Sequence, residues 1–145
     1  MKTLFLAQIG RQLFALDKEC VLGVGKHNDN PVKAESDGRR YLPLPHGHRA
    51  VICDVRTLMA GYEEETSARR RGHYLIVGHD NQAMALAMSG KGRIATADIA
   101  AALPLPPAFT GLPRALVSGV LVNGADLILL LNLQAVLEAT AEQGL

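Results

Sequence analysis

The chain has 145 residues, 48% of them hydrophobic and 20% charged, which is enough apolar surface to fold as one compact unit. Fifteen basic and 14 acidic residues leave a formal net charge of +1, and aromatics are 4% with no Trp. That balance excludes the broad basic field and the stacking platforms on which nucleic-acid binding rests.

The first ten residues carry one Lys and a short apolar run broken by Gln8 and Gly10, too short for a secretory signal. Residues 3–9 read as a strand, Gly10-Arg11 as a turn and residues 12–16 as a second strand, an N-terminal hairpin with bulk from Phe5 and Phe14. Residues 17–21 fit one helical turn capped by Asp17, and 21–24 a short strand. Residues 26–40 are polar and read as a loop. Residues 49–53 form a strand, Asp54 stands at an N-cap, and a short helix follows over 55–60. Residues 62–72 are highly charged and read as a linker or solvated helix.

The pattern then repeats. Residues 73–78 are a strand, 79–81 a turn and 82–88 another strand; 90–96 is a strand or tight connection. Residues 98–103 fit a helical turn stopped by Pro104, Pro106 and Pro107. LVSGVLVNGADLILLLNLQAVL, residues 116–137, is long enough to span a bilayer. However, Asp126 at mid-membrane would cost a few kcal/mol, and Asn123-Gly124 is a strong signal for a type I′ hairpin turn. Strands over 115–122 and 126–131 are therefore expected, so apolar that both faces must be covered. Asn132 is a second cap residue, and 133–142 reads as an amphipathic helix. Hairpin, middle, strand, cap and helix thus occur twice, predicting two successive β-lobes of similar plan, barrels or a sandwich.

No constellation resembles a catalytic set. His46-Gly47-His48 would place two imidazoles on one side of an extended segment, where Cys53 or His27 could join them on a metal. A second close-spaced ligand pair is lacking. Ser89-Gly90-Lys91-Gly92 fails as a phosphate loop, because Ala85 replaces the earlier glycine and Gly92 the following Ser or Thr. Ser36, Ser89 and Ser118 lack the nucleophile-elbow pattern. Arg69-Arg70-Arg71 is offset by Glu63, Glu64 and Glu65, and reads as a solvated face. His73 and His79 bracket a strand with no evident partner. Cys20 and Cys53 are too few for a disulfide scaffold and read as small buried residues; a cytoplasmic, non-enzymatic binding module is the reading that follows.

The order of segments resembles the CheW-like domain of bacterial chemosensory systems. LFLAQIGRQLFALD is similar to the family's opening hairpin, and HGHRAVICDVRTLMAG to its R-G-x-x-x-P-V-V-D-L-R-x-L segment, matched at Gly47, Ile52, Asp54, Arg56 and Leu58. HYLIVGHDNQAMALAM resembles the second opening hairpin, and the segment from Leu103 to Leu137 the closing hairpin and helix.

The resemblance implies a mainly β single domain over 1–145. It comprises two pseudo-repeated five-stranded β-barrel lobes with short helices, a hydrophobic core between them and a C-terminal helix. Lobe 1 is expected near 17–72 and lobe 2 near 73–135, with terminal segments exchanged. It also implies an adaptor without catalysis or cofactor, one that binds the regulatory domain of a CheA-type histidine kinase and a chemoreceptor's cytoplasmic tip. The setting would be a chemosensory or type IV pilus motility pathway.

The partner surface implied lies at Val21, Val24, Tyr41, Leu44, His46 and Gly47. The sequence departs from the family there: His46 replaces an Arg, Gly23 a Glu, and Tyr41 a Gly. The family's Arg and Glu resemble an ion pair, and losing one alone would cost about 3–5 kcal/mol if buried. Here both are absent, which reads as a reorganised site. Two other readings remain, a small-molecule or metal-binding barrel built on His46, His48 and Cys53, and a self-associating structural module.

Overall fold

The computed structural model describes residues 1–26, 33–34, 40–60, 73–90, 92–107 and 112–143. The charged segment 62–72, most of the loop 26–40, His27, Ser36 and Lys91 lie outside these described residues.

Alternation of side chains explains the strands. In β8 (Gln82–Met88) the sequence QAMALAM places alanines on one face and Met84, Leu86 and Met88 on the other. The large side chains join one buried cluster while Ala83, Ala85 and Ala87 contribute to another, so both faces are covered. β7 (His73–His79) does the same with Leu75 and Val77 against Tyr74 and Ile76. β1 (Lys2–Ile9) sorts Phe5, Ala7 and Ile9 from Leu4 and Leu6.

The remaining strands are β2 (Gln12–Asp17), β3 (Val21–Lys26), β4 (Lys33–Ala34), β5 (Arg40–Pro43), β6 (Arg49–Cys53), β9 (Arg93–Ala97), β10 (Val117–Asn123) and β11 (Asp126–Leu131). They form two sheets. A terminal lobe has the order β10-β11-β2-β1-β9, and a central lobe the order β3-β7-β8-β6-β5-β4. Helices α1 (Val55–Ala60), α2 (Leu112–Leu116) and α3 (Leu133–Gln143) contribute Val55, Leu58, Leu116, Leu133, Val136 and Ala139 to the cluster between the lobes. Each lobe keeps a smaller cluster inside its own sheet.

The pairing explains the sequence repeat. In the first repeat β6 leads to Asp54 and α1; in the second β11 leads to Asn132 and α3. Yet β6 pairs in parallel with β8 of the second repeat, and β11 pairs in parallel with β2 of the first. Likewise β3 pairs with β7, and β9 with β1. Each repeat's opening hairpin therefore completes the other repeat's sheet.

The expected lobe boundary near 72 and 73 is corrected accordingly. β7 and β8 belong with β3 to β6, so the chain changes sheets between Met88 and Arg93, and the exchanged segments include an internal hairpin. The barrels are open rather than closed, and the central lobe gains the two-residue β4 as a sixth strand. At the terminal lobe's open seam Leu103 substitutes for a strand. It exchanges two backbone hydrogen bonds with Val120, at 2.8 and 2.9 Å.

Two local expectations shift. Asn123 pairs with Asp126, so the last hairpin's loop is Gly124-Ala125, and Gly124 alone has a positive φ, 64°. One glycine at the first loop position satisfies a II′-type turn; the two-residue left-handed loop occurs instead at Asp80-Asn81, with φ 51° and 63°. Residues 115–116 are helical, and β10 starts only at Val117. Leu116 is fully buried and its carbonyl accepts a 2.7 Å hydrogen bond from the Asn132 amide, contacts that override its β-like neighbourhood.

The two strand-to-helix junctions match. Asp54 Oδ1 accepts from the Thr57 amide at 3.2 Å and Asn132 Oδ1 from the Ala135 amide at 3.2 Å, the N-cap arrangement in both. Asp17 caps the short 3-10 turn at Lys18–Cys20 through the Glu19 amide. Its bond to Lys2 Nζ at 2.9 Å holds the carboxyl below its ordinary range.

Candidate functional site

β5 and β6 are joined by a tight turn. The Leu44 amide donates to the His48 carbonyl at 2.8 Å, and His46 and Gly47 both take left-handed φ values of 62° and 77°. His46 is therefore held at the exposed tip of a turn, in a conformation that few residues other than Gly, Asn, Asp and His adopt readily. The extended segment expected across His46-Gly47-His48 is not formed, and the two imidazoles are not stacked along one strand face. Cys53 is fully buried in the interlobe cluster, with its Sγ bonded to the Val51 carbonyl. The histidines are exposed, so Cys53 and His46 do not converge as metal ligands.

Beside this turn lies a cleft of about 640 Å³, lined by Leu22, Tyr41, Leu44, Val51, Arg49 and the turn residue Asn81, among others. Its position follows from the strand pairing. Tyr41 lies opposite Val51 across β5 and β6, and Val51 opposite Met84 of β8, so the hairpin ends of three strands meet at one edge of the central lobe. Arg49 Cζ lies 3.9 Å from the Tyr41 ring centroid, a cation–π contact at the rim. Leu22, 65% exposed, closes the other side and rests on Gly78, where an added Cβ would lie 3.5 Å from Leu22 Cδ1.

The six interface residues expected from sequence separate here. Tyr41 and Leu44 line the cleft, and His46 and Gly47 form the adjoining turn. Val24 is exposed on β3, whereas Val21 is half-buried against the interlobe cluster. Leu22 was not singled out by the sequence. Its signal is the glycine-rich run VLGVG, which produces the register shift between Val21 and Gly23 and so disturbs the alternation.

His79 has a partner after all: its Nε2 lies 2.6 Å from Gln134 Oε1 on α3, tying the central lobe's hairpin to the last helix. Ser89, rejected as a phosphate-loop residue, joins the lobes. Its Oγ accepts from the Gly10 amide at 2.7 Å and its amide donates to the Gln8 carbonyl at 2.8 Å. Burial raises the Cys20 thiol above its ordinary range, which keeps it protonated. Among the described residues no cluster of three or more His, Cys, Asp or Glu side chains has metal-site geometry. Among them, too, no helix is long and apolar enough to cross a membrane.

No protein-family model matches the chain, and no curated protein sequence does. Among solved structures it is similar to the crystal structure of the scaffolding protein TtCheW from Thermoanaerobacter tengcongensis. The two share 18% sequence identity and a TM-score of 0.71, over 90% of this chain and 88% of that one. The fold is CheW-like, in a divergent sequence.

Proposed function

We propose that this chain is a non-enzymatic adaptor of a bacterial chemosensory pathway, which couples a chemoreceptor to a CheA-type histidine kinase by protein–protein contact. The observation that carries the reading is the match of nearly the whole fold to a scaffolding protein, both lobes included. The cleft adds to it. It is open, mostly apolar and rimmed by Tyr41 and Arg49, residue types enriched among interface anchors. The kinase's regulatory domain and the receptor's cytoplasmic tip are the partners, and the cytoplasm is the compartment where they meet. A chemotaxis array or a type IV pilus motility system would both use such a coupler.

Among the described residues, the buried Cys53 and the exposed turn histidines lie in different environments, so the metal-binding reading gains no support from them.

Reconstitution tests the adaptor reading. Receptor-bearing membranes and the kinase from the same organism should show stimulus-controlled autophosphorylation only when this protein is added. Tyr41→Ala should reduce the protein's apparent affinity in that assay by about tenfold or more, the loss of one interface anchor. His46→Ala should weaken it less, by altering the turn beside the cleft. Unchanged kinase output on addition of the wild-type protein would overturn the reading. Full activity in both variants would remove the β5–β6 end as the contact surface.

A further inference from the structure

The terminal lobe contains a space that its sequence explains. Along β9, RIATA, alternation turns Ile94 outward and Ala95 and Ala97 inward. Ala95 stands beside Leu4 of β1 in the ladder, so β9 offers small side chains to an interior that β1 fills with leucines. Among the described residues β9 and β10 are the two edges of this sheet and do not pair with each other. Leu103 bridges to β10 only at Val120. In this seam lies a cavity of about 330 Å³, at the lower end of the range for small-molecule sites, which occur in the mouths of β-barrels among other places.

Its floor is the lobe's own core: Leu4, Leu6, Leu121 and Ile128, each 6% exposed or less. Its mouth is polar. Asn123 follows Leu121 by two residues on the same face of β10, and Asp98 lies directly after β9. Asp98 caps the 3-10 turn Ile99–Ala101, its Oδ1 accepting from the Ala100 amide at 3.0 Å. That is the one hydrogen bond its side chain makes among the described residues, which leaves Oδ2 to accept from a ligand.

A buried aliphatic floor below a carboxylate and an amide selects an amphiphile whose head donates hydrogen bonds. An ammonium head meets Asp98 with opposite charge and offers a further donor to the Asn123 side-chain carbonyl, whereas an anionic head would face like charge. We propose that this cavity binds a small organic cation, a protonated primary amine on an unbranched aliphatic chain. The chain lies against Leu4, Leu6, Leu121 and Ile128, and the ammonium pairs with Asp98. The site is in the other lobe from the β5–β6 turn, so the proposal does not depend on the adaptor reading.

Methyl NMR titrations of the full chain with n-hexylamine, n-propylamine, 1-hexanol and hexanoate test it. n-Hexylamine should shift the methyl signals of Leu4, Leu6, Leu121 and Ile128 saturably, with a Kd below about 1 mM, a modest efficiency for so small a ligand. n-Propylamine should bind at least about tenfold more weakly, because three methylenes lose their burial. Hexanoate should bind at least about tenfold more weakly than n-hexylamine. Asp98→Asn keeps a good capping residue, so the turn is preserved; it should weaken n-hexylamine about threefold, as for an exposed charge pair, and leave 1-hexanol within about twofold. Ala95→Leu should fill the cavity and weaken n-hexylamine at least about tenfold. Ala97→Leu, nearer the mouth, replaces it if its methyl spectrum shows loss of the fold.

No saturable shift in wild type at about 10 mM n-hexylamine would overturn the proposal, being far weaker than so buried a chain predicts. So would shifts confined to methyls outside the terminal lobe, or hexanoate binding as tightly as the amine. Unchanged n-hexylamine binding in a folded Ala95→Leu or Ala97→Leu variant would remove the cavity as its site. The wild-type comparisons decide the matter even where neither leucine variant folds.

Discussion

Leu86→Ala is expected to lower the free energy of unfolding by about 3 kcal/mol, within the range for deleting a buried leucine side chain. Leu86 is fully buried on β8, opposite Leu75 of β7 and Cys53 of β6, and all three belong to the cluster between the lobes. Little nearby can collapse into the vacated space, because Val55, Leu58, Val77 and Met84 around it are themselves fully or almost fully buried. The neighbouring position should be destabilised by the opposite change in size. Ala85 faces the central lobe's interior with Leu42, Ile52 and Tyr74, so Ala85→Leu should overfill it, at about 1–3 kcal/mol.

Both variants should also unfold in one transition. The β7–β8 hairpin belongs to the second repeat but completes the sheet of the first, and β1–β2 does the converse. Neither lobe has a complete sheet without the other repeat. Denaturant unfolding followed by far-UV circular dichroism and by tyrosine fluorescence checks this: the two curves should coincide. Two separated transitions would mean that the lobes are independent.

Gly92→Ala should be destabilising by about 1–3 kcal/mol, although it adds only one methyl group at a position with ordinary backbone conformation. A Cβ there would overlap the ring carbons Cε1 and Cζ of Phe5 and lie 3.0 Å from the Leu6 carbonyl oxygen. Phe5 packs half-buried against the interlobe cluster from β1, so its ring must shift within that contact to make room. The residue that fails to complete a phosphate loop is thus a glycine over which an aromatic ring lies. A double-mutant cycle separates this clash from a backbone effect. Phe5→Leu should reduce the cost of Gly92→Ala, giving a coupling of about 1 kcal/mol between contacting residues. Additive effects would show that Phe5 is not the obstacle.

Much of the local structure was legible because it rests on local chemistry. QAMALAM alternates with period two, Asp54 and Asn132 stand where strands give way to helices, and the apolar segment from Leu116 onward turns back as a hairpin. The hairpin's loop was misplaced by one residue because Gly124 can serve either as the second position of one turn type or the first of another. The short helix at Leu112–Leu116 was missed because what fixes it, Asn132 gripping Leu116, comes from 16 residues away.

The exchange of hairpins lay beyond reach for a similar reason. Alternation says which face a residue occupies, but it does not say that β8 will choose β6 or that β2 will choose β11. At the candidate site, Tyr41 and Leu44 were visible through the resemblance. Arg49 and Leu22 became visible only when the pairing of β5 with β6 and the irregularity in β3 placed them on one cleft.

The adaptor account is tested most directly by titrating the unmodified protein into the regulatory domain of its organism's CheA-type kinase. The account predicts saturable binding at one to one, with a Kd at or below about 100 μM, the weaker end of transient signalling contacts. A flat titration at that concentration, with both proteins folded, would contradict it.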